Sequence, residues 1–282
     1  MKKLKIIDDL FYGLNTENGK LEQLIPYDFQ LKLIDSVIKN RFNVIESSRQ
    51  MGISLTISHF LANQALDVES NEMNTFMVSN NTECAKCNLD RIRTIINNRF
   101  KDEKNFRIYK KNTQSEIILF NNKKIKCVSI GSLFYERDKN KSIIFIDNAG
   151  YVSNLECEVI KLIKEKDSGF SKIIISSTNR FFTNDFKNNF LKHIEHKDFK
   201  HNIINWAEHP NRDQAWYENQ SKIMTQDCIK TEIDCEFVPI KKVDRVLNVR
   251  LSEEMFVKLS NKCAMENRNV SDYVREIINK NL

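Results

Sequence analysis

The chain is poor in glycine (6 of 282 residues) and poorer in proline (3), while Asn, Lys and Ile abound. An AT-rich genome imposes such a bias by itself, so the many lysines are weak witnesses to a binding surface. No stretch approaches eighteen apolar residues, so no membrane-spanning helix is expected. The first residues, Met1 to Phe11, reach Asp8 before any apolar run of signal-peptide length, which argues against secretion. The seven cysteines are scattered and odd in number. A reduced, intracellular setting fits that best. Cys84 and Cys87 form a lone C-x-x-C in a helical pattern, and two ligands do not make a structural zinc site. His193 and His196 lie on a Lys-rich stretch and read as solvated. Neither zinc nor haem is expected.

What remains is a chain long enough for one large domain or two, with 41% hydrophobic residues to fill a core. Its net charge of +6 permits a nucleic-acid partner without requiring one. The organising stretch is Phe42 to Phe60, FNVIESSRQMGISLTISHF. A short apolar strand over 43–45 runs into a polar turn holding Gly52 and Ser54. An apolar-periodic helix follows through Leu55, Ile57, Phe60 and Leu61. Strand, turn and helix in this order are the layout of a phosphate-binding loop, where helix-start amides and the helix dipole favour an anion. Against the motif G-x-x-x-x-G-K-[ST], Ser47 stands for the first glycine and Ile53 for the lysine. An ordinary strand-to-helix turn is the other reading of the same residues.

Upstream, residues 24–38 read as a helix entered through Pro26, with Phe29, Leu33, Ile34, Val37 and Ile38 along one stripe. Tyr27 and Gln30 sit one turn apart near its start, either on a surface helix or as an adenine-reading pair. Downstream, 74–79 is a compact strand, and Thr82 caps a helix to Arg99 with Leu89, Ile92, Ile95 and Ile96 inward. Residues 116–120 and 124–128 flank Asn121-Asn122 as a hairpin. The strands 142–147 (SIIFID) and 172–176 (KIIIS) are apolar throughout, as strands buried on both faces of a parallel sheet are. Helices are expected from Asn154, over 185–193 and over 212–223. The alternation predicts an α/β fold, a mostly parallel sheet flanked by helices, with ligands at the carboxyl ends of its strands. Three polar strand ends converge there: Glu46 to Ser54, Asp147-Asn148, and Ser176 to Asn179.

Taken together, residues 27–237 resemble the ATPase domain of the phage large terminase subunit, a P-loop NTPase that packages DNA. Tyr27-x-x-Gln30 is similar to its adenine motif, and Ser48-Arg49-Gln50-Met51-Gly52-Ile53-Ser54 to its S-R-Q-x-G-K-[ST] loop. Arg137 matches an arginine ten residues ahead of the Walker B aspartate, here Asp147. Ile144 to Ala149 resembles I-x-I-D-E-A, and Lys172 to Asn179 the coupling motif, with Ser177, Thr178 and Asn179 at its end. The resemblance implies nucleotide binding by Tyr27, Gln30, Ser48, Arg49, Gln50, Gly52 and Ser54. It also implies Mg²⁺ held by Asp147 and Ser54 if nucleotide binds. Two departures stand against activity: Ile53 replaces the phosphate-gripping lysine, and Asn148 replaces the glutamate that activates water. An amide cannot act as a general base at neutral pH. Electrostatic losses of this kind cost on the order of 10²–10³-fold each. ATP with Mg²⁺ therefore stays an open cofactor assignment, and no catalytic residue is assigned with Arg49 and Arg137 as replacement cations. The residues after Phe237 are too few for the family's nuclease domain.

The last forty residues have a different pattern. Leu247, Val249 and Leu251 alternate with Val246, Asn248 and Arg250 as a short strand. Ser252 caps a helix with Met255, Phe256, Leu259 and Cys263 on its apolar side. After a turn over 267–270, Ser271 caps a second helix with Tyr273, Val274, Ile277 and Ile278 inward. This strand–helix–helix resembles the ribbon-helix-helix DNA-binding fold. About forty residues rarely bury enough surface alone, so a homodimer through a two-stranded ribbon is implied. Val246, Asn248 and Arg250 would face the major groove of double-stranded DNA, and Ser271 a phosphate. A surface helical hairpin with a strand added to the main sheet is the alternative.

The boundaries read as 1–238 for the terminase-like domain, 239–244 for an exposed linker and 245–282 for the ribbon-helix-helix domain. The expected protein binds DNA in connection with packaging or its control, meets other phage packaging proteins but no membrane, and works in the cytoplasm of an infected host. A working packaging ATPase, or a transcriptional regulator using the α/β domain as scaffold, are the alternatives.

Overall fold

The computed structural model describes residues 12–14, 21–69, 74–79, 82–101, 107–136, 142–152, 155, 159, 172–179, 198–236, 238, 251–266 and 270–281. The chain divides into two compact units, Met1–Ile240 and Lys241–Leu282. Arg137, Val246, Asn248, Arg250, His193, His196, the helix expected over 185–193 and the linker lie outside the described residues.

Unit one carries a small antiparallel pair, β1 (Tyr12–Leu14) and β2 (Leu21–Gln23). Among the described residues its main sheet has eight strands: β3 (Phe42–Ser47), β4 (Asn74–Val78), β5 (Tyr109–Asn112), β6 (Glu116–Leu119), β7 (Lys124–Val128), β8 (Ser142–Ile146), β9 (Lys172–Ser177) and β10 (Phe199–Ile204). Their spatial order is β10-β3-β9-β8-β4-β7-β6-β5. Every pair from β10 to β7 is parallel, and β6 and β5 add antiparallel at one edge. The α/β fold expected from the sequence is the fold observed.

The four central strands are buried at every residue, as an apolar run without alternation requires when both faces are covered. The strand period of two sorts the side chains. Ile45, Met77, Ile143, Phe145 and Ile174 join the core on one face, and Val44, Phe76, Ile144, Ile173 and Ile175 the core on the other. The first core is closed by α1 (Asp28–Lys39), α2 (Ile53–Leu66) and α3 (Thr82–Arg99). Leu155 and Val159, four apart in the expected helix from Asn154, are buried in the second.

Several boundaries differ from expectation. α1 begins at Asp28, not at Leu24. Pro26 disfavours helical geometry at Ile25 before it, and Ile25 is left exposed. The helix expected over 212–223 is α4 (Gln214–Ile223), because the Asp213 side chain accepts from Trp216 N and starts it there. β5 and β10 are additions to the sheet. Both are sheet-edge strands rich in polar residues, which hides the apolar pattern.

Two buried lysines cap helix ends. Lys172 Nζ donates to the carbonyls of Val37 at 2.5 Å and Asn40 at 2.6 Å, where α1 stops. Lys123 Nζ donates to the carbonyls of Gln64 at 2.9 Å and Asp67, where α2 stops. A cation there meets the carbonyl end of the helix dipole.

Unit two contains α5 (Glu253–Met265) and α6 (Val270–Asn281). Ser252 caps α5 as expected, its hydroxyl accepting from Met255 N at 3.3 Å. α6 starts two residues earlier than expected, at Val270, so Ser271 lies inside its first turn rather than at the cap. Cys263 is buried, while Met255, Phe256 and Val257 are about half exposed. Among the described residues no helix is long and apolar enough to cross a membrane.

Candidate functional site

The strand order builds the site. β3, β9 and β8 are neighbours in space although far apart in sequence. Ile45 pairs with Ser176 and Ile146 with Ile175, so the chain leaves the three strands at one level. A cleft of about 260 Å³ opens there. Residues 47–55, Arg91, Asp147, Asn148 and 176–178 line it.

The loop between β3 and α2 is wound tightly. Gln50 (φ 61°) and Gly52 (φ 73°) both take left-handed backbone. At Gly52 the dihedral favours glycine, and an added Cβ would stand 3.1 Å from Gln30 Nε2, which would have to give by a few tenths of an ångström. Gln30 is buried, and its Oε1 accepts from Tyr27 N at 3.0 Å. The Tyr27 ring meets His209 edge-on at 4.7 Å. Gln30 therefore packs against the loop and Tyr27 against His209.

The far end of unit one ties the loop down. Ser48 N donates to Ile204 O at 2.9 Å, and Ser48 Oγ donates to Ile233 O. Arg49 N donates to Glu232 O at 2.6 Å, and the Arg49 guanidinium pairs with the Glu232 carboxylate, which holds the Arg49 pKa above its ordinary value. Arg212 donates to the carbonyls of Arg49 at 3.1 Å and Gln50 at 2.8 Å, and lies over the Trp216 ring at 4.4 Å. The amides of Ser48 and Arg49 are thus spent on protein carbonyls, and the Arg49 charge is answered by Glu232. Ile53 belongs to the hydrophobic core beside Ile45 and Ile57.

Opposite the loop, Asp147 accepts from four groups. Ser54 Oγ lies 3.0 Å from Oδ2 and 3.2 Å from Oδ1. Asn88 Nδ2 donates to Oδ2 at 2.7 Å, and Ser176 Oγ and Asn148 N donate to Oδ1 at 2.8 and 3.0 Å. Asn148 adopts left-handed backbone (φ 52°), which asparagine tolerates well. Ser177 Oγ accepts from Gly150 N at 3.1 Å and donates to Thr178 O at 2.8 Å. Asn179 turns away, donating to Glu46 Oε1 and to Cys235 O at 2.7 Å, while His201 contacts Glu46 at 2.9 Å.

The structure therefore gathers Ser48, Arg49, Gln50, Gly52, Ser54, Asp147, Asn148, Ser177 and Thr178 around one cleft, with Gln30 behind the glycine. Sequence reasoning missed Asn88, Arg91 and Arg212. Asn88 had a visible signal: it interrupts the apolar face Ala85, Leu89, Ile92, Ile96 of α3 and is buried there. No pattern marks Arg91 or Arg212. Cys84 and Cys87 are carried by α3, and among the described residues no group of three or more His, Cys, Asp or Glu is gathered for a metal.

A parallel sheet with a glycine-bearing strand-to-helix loop facing a strand-end aspartate defines a P-loop NTPase-like fold. Within it, the chain is similar to large terminases of phages. Against the large terminase ATPase domain of Thermus phage P74-26 the TM-score is 0.57 at 16% identity, covering 76% of this chain and 94% of that one. Against the large terminase of a thermophilic bacteriophage it is 0.55 at 15% identity, covering 74% and 53%. The same terminase in complex with ADP gives 0.56 at 16%, covering 76% and 54%. The chain thus spans about half the length of that whole terminase. At these identities the likeness is one of fold. Comparison with protein-family models and with curated protein sequences returns no match.

Proposed function

We propose that this chain is a terminase-type protein of DNA packaging or its control, in which ATP hydrolysis is weak or lost and DNA is bound by a dimeric C-terminal ribbon-helix-helix. One observation carries the reading. A terminase-like cleft is assembled from loop, aspartate and coupling strand, yet its two reactive positions hold Ile53, packed into the core, and Asn148, an amide. With neither a phosphate-gripping ammonium nor a general base, little is left to lower the barrier. Arg49, one candidate replacement cation, is engaged by Glu232.

In this reading Tyr27, Gln30, Gly52 and Ser54 are inherited nucleotide-site positions, and Ser177, Thr178 and Asn179 an inherited coupling segment. The tail supplies the DNA contact: Val246, Asn248 and Arg250 in the major groove, Ser271 near a phosphate. The half-exposed Met255, Phe256 and Val257 of α5 support pairing with a second copy.

Two measurements test it. Steady-state ATP turnover should be at background in wild type and unchanged in Asp147→Ala; turnover that Asp147→Ala abolishes would overturn the loss of hydrolysis. Arg250→Ala should weaken specific duplex binding by about 1–3 kcal/mol. Unchanged sequence preference in that variant removes the DNA-reading role from the tail.

A further inference from the structure

Asp147 is where the fold class holds Mg²⁺, and the surroundings of this carboxylate do not fit that ion. An ionised carboxylate offers about four lone-pair sites. Here four donors fill them: Ser54 Oγ, Asn88 Nδ2, Ser176 Oγ and Asn148 N, at 2.7–3.2 Å. Of the four donors, Asn88 and Ser176 are buried beside the buried Asp147, and once displaced they have no bulk water to turn to.

The orientation of Asn88 is fixed from both sides. Its Oδ1 accepts from Arg91 Nη1, three residues on along α3. A guanidinium only donates and a carboxylate only accepts, so the amide must turn its oxygen to Arg91 and its NH₂ to Asp147. An NH₂ group cannot ligate a metal. Mg²⁺ demands six oxygens near 2.0–2.1 Å in octahedral array. Seating it here means stripping a donor from Asp147 and, on the Oδ2 side, turning Asn88 away from Arg91. The neighbouring position adds no second acid, being Asn148.

We infer that Asn88, held by Arg91, closes the Asp147 carboxylate to divalent metal, so that the cleft is a metal-independent site. Asn88 is a positioning residue: it puts the Arg91 charge one amide away from Asp147, where the fold class has a metal ion. The inference rests on the Asp147 cluster alone and stands apart from the DNA-binding reading of the tail.

The test is Mn²⁺ binding to the purified full chain, followed by electron paramagnetic resonance. Wild type and Asp147→Asn should take up Mn²⁺ identically, with no uptake dependent on Asp147. Asn88→Asp replaces the donor with a second carboxylate and should bind one Mn²⁺ at least about tenfold more tightly than wild type, the scale on which outer-shell partners move metal affinity. Adding Asp147→Asn should abolish that gain. Wild-type uptake that disappears in Asp147→Asn overturns the inference, as does a folded Asn88→Asp with no gain. Should Asn88→Asp not fold by circular dichroism, Asn88→Ala, which only removes the donor, is held to the same two outcomes. Either failure leaves duplex binding and ATP turnover to be judged by their own assays.

Discussion

Arg49 and Glu232 stand 183 residues apart in the chain and 2.6 Å apart in the fold. The pair is asymmetric: the Arg49 side chain is 55% exposed and that of Glu232 only 2%. Removing the arginine takes its guanidinium from a buried carboxylate, whereas removing both charges does not leave that charge behind. Arg49→Ala should lower unfolding stability by about 1–3 kcal/mol, read from the urea midpoint. Arg49→Ala with Glu232→Gln should recover part of it. Equal losses in single and double variants would show that the pair is not what holds the loop.

Gly52 carries a conformational and a steric demand together. Gly52→Ala puts an L-residue at φ 73° and a methyl 3.1 Å from Gln30 Nε2. A left-handed non-glycine residue costs about 1–2 kcal/mol. The double variant with Gln30→Ala should remove the collision and leave the dihedral cost, so thermal melts of the two variants should differ.

Lys172 holds the end of α1 by its ammonium. Lys172→Met keeps the stem and loses the donor, leaving the buried Val37 carbonyl without it, while the Asn40 carbonyl keeps Asn43 Nδ2 at 3.0 Å. A cost of about 1–3 kcal/mol is expected. Hydrogen exchange should quicken in the last turn of α1 before it does in β9.

His209 titrates against folding. Burial, then the Arg212 charge, lowers its pKa below the ordinary 6.5. The unfolded chain therefore takes up the proton first as pH falls. Stability from this group is intact above the unfolded value and is lost as pH falls through it toward the folded one. The urea midpoint of wild type should fall between about pH 7 and pH 5, and His209→Gln should flatten that part of the slope. Identical pH profiles would remove His209 as its source.

Phe256 is 54% exposed in a single copy of the tail. If two tails pair, it is covered, and Phe256→Asp should convert a dimeric full chain to monomer in sedimentation equilibrium. A wild-type chain that stays monomeric at tens of micromolar would sink the paired-tail reading.

The central strands and helices were legible because burial on both faces leaves no polar residue in β8 beyond Ser142, and because α3 repeats its apolar residues at helical spacing. Gly52, Ser54 and Asp147 could be read as one site because their motifs lie at strand ends. β10 was not legible: His201 and Asn202 interrupt it, and its place beside β3 is decided by pairing across more than 150 residues of chain. Arg212 escaped for a related reason, since it acts on loop carbonyls, which have no sequence signature. Asn88 was visible as a polar break in an apolar stripe but had no partner until the fold brought Asp147 beside it.

The placing of β3 between β9 and β10 has a temporal meaning. When the ribosome releases the loop at Ser48, nothing stands on either flank of the strand that bears it. The carboxylate opposite appears only at Asp147, the inner flank at Lys172, the outer flank at Phe199 and the clasp on the loop at Glu232. The cleft is among the last parts of this unit to close, although its first residue is among the earliest made, and a chain cut short before Phe199 would carry β3 bare along one side.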